Sequence, residues 1–342
     1  MTSAIDTLRA QLADMEDDAA RQQAAVEAFS AAREADDEAL MVDIARLVVG
    51  DDSGNEPYSK GWQMFCLQGL TEYCAERFAQ AENDTAREEC WYDLVECLWK
   101  YKWIVCKLPQ DLQLERDDIE EYNRVMTDYY AWVQFSQSAV HKTLMLQSMW
   151  RGDVEQAREH FRQWQTLEAD ESADCEACEQ TELVNYHHFT GAYRKAVEYA
   201  EPILCGDMHC AEVPHITYYP AIASLIEIGE WTRAAEILPR AIALIEKDIN
   251  THIGLLPPLL QLALRLGESG QARQLLDKHY DALARHFSNK PFEYLQYLMV
   301  AAAFDDDAKA RAHHLAEAFD QRNGNHYYRS QLATLLQRPQ VQ

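Results

Sequence analysis

The chain has 342 residues, 48% of them hydrophobic, enough to bury one long core or two ordinary ones and too apolar for most of it to be disordered. Its 57 Asp and Glu against 31 Lys and Arg leave a formal charge of −26, a field that repels phosphate backbones and anionic lipids and so argues against nucleic acid and membrane surfaces as partners. A basic protein or peptide segment suits that field better, although much of such an excess serves only to solvate a surface.

The start, MTSAIDTLRAQLADMEDDAARQQ, has neither a basic opening nor a continuous apolar stretch, so it matches neither a signal peptide nor a transit peptide. No later segment approaches the roughly 18 apolar residues of a membrane span, so a cytoplasmic location is expected. In that reducing compartment the nine cysteines read as packing, metal-binding or redox groups rather than a disulfide framework.

Twelve glycines and ten prolines are scattered through runs with apolar residues at helical spacing, and no strand-like alternation interrupts them. The fold class is all-α. Residues 1–136 are expected to be a helical region of degenerate repeats, with helices over 20–48, 58–80, 86–108 and 117–136 and breaks at GDDSGNEPYSKG and KLPQD. Trp91, Tyr92, Trp99, Tyr101 and Trp103 read most simply as inter-helix core, with a recognition surface as the alternative. Cys66, Cys74, Cys90, Cys97 and Cys106 fall singly within helical patterns and need only packing to explain them.

From residue 137 a period emerges. Gly, four residues, then Ala recurs as Gly152/Ala157, Gly191/Ala196, Gly229/Ala234 and Gly267/Ala272, in steps of 39, 38 and 38 residues, and a further step reaches Asp305/Ala310. Glycine permits a tight turn between two helices, and the small alanine lets the second helix lie close against the first. Each hairpin leaves an apolar face that only the next can cover. These residues resemble tetratricopeptide repeats over about 137–320, with a unit of roughly 38 residues where that family commonly has 34. The resemblance implies a right-handed α-solenoid of antiparallel helix pairs over 137–336, and partner-binding residues on the first helix of each unit. Laid on this chain those residues are Lys142, Asn185, His188, Tyr219, Gln261 and Arg265. A concave face less negative than the convex one follows from Lys142 and Arg265.

Chemistry is concentrated in Asp174-Cys175-x2-Cys178 and in Cys205-Gly-Asp-Met-His209-Cys210-Ala-Glu-Val-Pro214-His215. A C-x2-C knuckle followed by a C-x4-H pair is a ligand pattern for zinc, with Cys175, Cys178, Cys210 and His215 as a Cys3His set and Cys205 or His209 as substitutes. The repeat register supports this independently: 175–178 precede the first helix of the Gly191 unit and 205–215 follow its second, and those ends of an antiparallel hairpin are neighbours. Zinc there would clip a long inter-repeat loop at 171–215. The D-C-x2-C and C-A-E-x-P-H stretches also resemble uncharacterised bacterial tetratricopeptide-repeat proteins, a likeness that implies no activity. His187 and His188 point in two directions along their helix, so at most one faces a groove.

No P-loop, dinucleotide fingerprint, H-E-x-x-H or nucleophile elbow is present. The expected function is therefore a non-enzymatic scaffold or adaptor that binds a protein or peptide on its concave surface, with structural zinc. Alternatives are a zinc-dependent hydrolase with Glu212 as base and Asp174 nearby, or a module sensing metal or redox state through Cys175 and Cys178.

Overall fold

The computed structural model describes residues 3–50 and 57–337, and every regular element among them is helical. Helices α1 (Ala4–Ala13), α2 (Asp18–Glu34), α3 (Glu38–Val49), α4 (Lys60–Gln80), α5 (Asp84–Val105) and α6 (Arg116–Trp132) make up the first part of the chain. Three consecutive hairpins follow: α7 (Gln137–Trp150) with α8 (Val154–Thr166), α9 (Glu176–Phe189) with α10 (Tyr193–Leu204), and α11 (Tyr218–Glu227) with α12 (Trp231–Lys247). The short α13 (Ile249–His252) leads into α14 (Leu256–Arg265), α15 (Ser269–Lys278), α16 (Tyr280–His286), α17 (Pro291–Ala301), α18 (Asp306–Asn323) and α19 (Tyr327–Leu336). Most helices adjacent in sequence pack on one another, as in an α-solenoid.

Side-chain caps set many of the boundaries. Ser59, Asn83 and Asp153 each accept a hydrogen bond from a backbone N–H in the first turn of α4, α5 and α8. The segment expected as one helix over 20–48 is instead two, because the polar Ala35-Asp36-Asp37 run offers local alternatives to helix. Asp36 adopts φ 52°, and Asp37 turns its carboxylate onto the N–H of Leu40 to start α3. Helix α1 was outside the expected set. Of the break expected at GDDSGNEPYSKG, positions 51–56 lie outside the described residues, and α4 already begins at Lys60.

The repeat signature does what its chemistry requires in four units. Gly152, Gly191, Gly229 and Gly267 all have φ between 70° and 85°, and Ala157, Ala196, Ala234 and Ala272 are fully buried. The fifth unit departs from the expectation. Its turn, without glycine, runs through Ala302–Phe304, and Asp305 is the cap of α18, accepting from the N–H groups of Asp307 and Ala308. Because α17 ends at Ala301, earlier than the period places that helix end, the buried alanine falls at Ala308, while Ala310 is exposed.

The apolar core falls mainly into two sets, one running from Leu12 to Val140 and one from Val197 to Leu332. Contacts between distant parts of the chain close the molecule on itself. Lys290 pairs with Asp18 at 3.3 Å, and Asn289 donates to the Pro57 carbonyl at 2.8 Å. Arg322 donates to the carbonyls of Asp111 and Pro109. Asn325 and Tyr328 reach the carbonyls of Arg151 and Trp150, so the start of α19 sits on the turn between α7 and α8. In a simple solenoid each repeat touches only its neighbours. Here the last helices fold back onto the first half.

Candidate metal centre

Cys175 is the N-cap of α9 and Cys178 lies in its first turn, so the C-x2-C spacing places both thiols at one helix end. After α10 the chain turns back: Cys210 donates its N–H to the Val213 carbonyl at 3.1 Å, and Ile216 does the same to Glu212. Those turns bring Cys210 to the same helix end. The three sulfur atoms lie within 4.8 Å of one another, with Cys178 and Cys210 3.5 Å apart. On a tetrahedral ion with metal–sulfur bonds of about 2.3 Å, sulfur ligands stand about 3.8 Å apart, so the cluster has the size of a thiolate zinc site.

Apolar surroundings seal one side: Ala177, Cys178, Ile203 and Val213 are buried together, with Met208 and Ile216 against them. The cost of desolvation, followed by the adjacent Cys210 and Cys175 thiols, pushes the Cys178 thiol far above its usual range. Cys175 is exposed. Burial opposes its ionisation only partly, and the N–H groups of Cys178 and Ala177 with the two neighbouring thiols lower its pKa. A divalent cation would reverse the penalty on Cys178, because coordination favours the thiolate.

His215, the expected fourth ligand, is not part of this group. Its ring stacks on His252 of α13, centroids 4.1 Å apart and planes at 22°, and its Nδ1 is buried without a hydrogen-bond partner. Burial, then the His252 ring, lower its pKa. Spacing was insufficient to place it, because the turn at 210–216 carries the residue to α13. Cys205 and His209 are exposed, and neither joins the three thiols.

The residue before the knuckle ties the site to the rest of the molecule. Asp174 carries an oxygen 2.7 Å from the ammonium of Lys102 on α5, and its other oxygen accepts from Lys142 on α7, which also pairs with Glu179. Lys102 donates to the Ser172 carbonyl at 2.7 Å and lies 3.1 Å from the centroid of the Trp99 ring. Burial pulls its pKa down to about 8 against the opposing pull of Asp174. Sequence reasoning missed Lys102. The available signal was a lysine between Trp99, Tyr101 and Trp103, in a run too apolar to remain on a surface.

Lys142 therefore does not line a groove. It is 2% exposed, neutralised by Asp174 and Glu179, and supplies no free positive charge to a concave face. Arg265 is spent on Glu227 at 2.6 Å, which removes the other basis for a less negative inner surface. Gln261 is buried and bonds to Gln296. Asn185, His188 and Tyr219 are half-buried, with His188 bonded to the Ser224 hydroxyl at 3.0 Å and its ring edge-on to Tyr219. Of the aromatic run, Tyr101 is fully buried whereas Tyr92 is 64% exposed.

No helix among the described residues is long and apolar enough to cross a membrane. No known family model, curated protein or solved structure matches the chain.

Proposed function

We propose that this chain is a non-enzymatic helical-repeat scaffold that binds a protein or peptide, and that Cys175, Cys178 and Cys210 hold a structural zinc ion clipping the segment between α8 and α11. The observation that carries the metal part is the convergence of three sulfurs within 4.8 Å from two segments separated by a whole helical hairpin. Thiolates are the ligands zinc takes at tetrahedral structural sites, and with His215 turned to α13 the fourth position would be filled by a water or another group. Anchored by Lys102 and Lys142 through Asp174, the ion would hold α9 in a fixed relation to α5 and α7.

The scaffold part is supported by the stripe that Asn185 and His188 on α9, Tyr219 on α11 and Arg265 on α14 form across successive first helices. All four are half-buried. Residues so placed combine ring faces and hydrogen-bonding groups on rigid elements, with the guanidinium of Arg265 held in place by Glu227, the usual make-up of a peptide-reading surface. Tyr327 of α19 borders the stripe, edge-on to Phe189 at 5.8 Å. The test is affinity capture from the native cell with the zinc-loaded full chain and with Arg265→Glu, each shown by circular dichroism to be folded. A partner captured by the wild type and lost with Arg265→Glu supports the reading. Identical captures from both, or no partner at all, contradict it.

A further inference from the structure

Away from the metal centre, Phe78 near the end of α4, Trp91 on α5 and Trp132 at the end of α6 line a surface cleft of about 390 Å³, together with Ala79 and Val133. Phe78 lies 5.6 Å from Trp91 and 6.2 Å from Trp132 between ring centroids. The walls are held from behind, Trp91 edge-on to the buried Phe135 and Trp132 edge-on to Tyr129. Trp132 nevertheless remains 49% exposed, so its ring is available to a ligand. The volume lies at the lower end of the roughly 300–1,000 Å³ of small-molecule pockets, room for one fused ring system.

Arg87 is the single charged residue in the lining. Its guanidinium sits 4.9 Å from the Phe78 ring centroid, and no carboxylate among the described residues pairs with it. Glu88, its neighbour in sequence, is engaged by the Tyr92 hydroxyl. What sets Arg87 apart is its place: a guanidinium with free donors beside the half-exposed Trp132 ring suits an anion that carries a ring. A guanidinium binds carboxylate through paired, charge-assisted hydrogen bonds, and stacking over Phe78 restricts its motion without using its donors. A cationic ligand is disfavoured because Arg87 already covers the Phe78 face and would repel it.

We propose that this cleft binds a small, flat aromatic carboxylate, its rings against Trp91 and Trp132 and its carboxylate on Arg87. The site goes beyond the scaffold reading and stands on different residues. The test is calorimetric titration of the full chain with 2-naphthoate, 2-naphthamide and 2-naphthylmethylammonium, probes that share a ring system and differ in charge. The expected result is saturable one-to-one binding of 2-naphthoate, at least about tenfold tighter than the amide, with the ammonium weakest. Arg87→Gln should make carboxylate and amide bind alike, and Trp132→Ala should weaken both. The two side chains are exposed enough for the variants to fold, which circular dichroism checks. Equal binding of carboxylate and amide to the wild type, tighter binding of the ammonium, no saturable binding, or a carboxylate preference that survives Arg87→Gln would each overturn the proposal.

Discussion

Asp174 and Lys102 meet at 2.7 Å with side-chain exposures of 6% and 2%, so an ion pair almost without water lies one residue from Cys175. Removing one partner of such a pair strands a buried charge, at a cost of about 3–5 kcal/mol. Asp174→Asn should lower unfolding free energy by that order in urea titration. In a Lys102→Met background the same substitution should cost clearly less, since one stranded cation is gone. Additive losses would show that the two residues act separately.

The fold-back of α19 predicts a difference between two turn glycines that the repeat pattern treats as equivalent. Gly152 and Gly229 have φ of 70° and 84°, so alanine at either position strains the backbone by about 1 kcal/mol. A Cβ at Gly152 would also stand 2.4 Å from Tyr327 atoms, whereas at Gly229 nothing lies within 4 Å. Gly152→Ala should therefore destabilise by about 1–3 kcal/mol more than Gly229→Ala, and Tyr327→Ala should remove most of the excess. Equal losses would argue against the contact.

Closure should also be sensitive to acid through His286. Burial, then the charges of Lys290 and Lys60, pull this imidazole down to about 3, and Lys290 is 3.4 Å from its Nδ1. The folded protein keeps the ring neutral while the unfolded chain protonates near 6.5. The stability it contributes is thus present above about pH 6.5 and lost as pH falls toward 3, by about 1.4 kcal/mol per unit. Asp18, whose pKa burial raises despite Lys290, faces the same junction. Between pH 7 and 5 the wild type should lose about 2 kcal/mol more than His286→Gln. Parallel losses would exclude His286 as the acid-sensitive group.

The hairpins were legible because their signals are local. A glycine that must turn and an alanine that must fit are both readable in place, and Gly152, Gly191, Gly229 and Gly267 with their alanines do what that chemistry demands. The fifth unit was misplaced because Asp305, a capping residue, stands where the period puts a turn glycine. Three cysteines of the site followed from spacing and the neighbouring ends of a hairpin. His215 did not, since five residues of turn can aim a side chain in several directions. Fold-back depends on pairs such as Asp18 and Lys290, 272 residues apart, and no local pattern encodes them.

If the ion clips the segment between α8 and α11, removing it should be felt locally. Hydrogen exchange after chelation should speed up across 171–217 and remain unchanged across α14 and α17–α18, since repeats depend chiefly on their neighbours. Uniform acceleration would mean that the ion holds the whole fold.

The claim that Cys175, Cys178 and Cys210 form one metal site is tested most directly by native mass spectrometry of the reduced full chain after exposure to zinc, beside Cys178→Ser. About one zinc per wild-type chain and none in the variant is the predicted result. A reduced wild type that stays metal-free, or a Cys178→Ser chain that retains the ion, would contradict it.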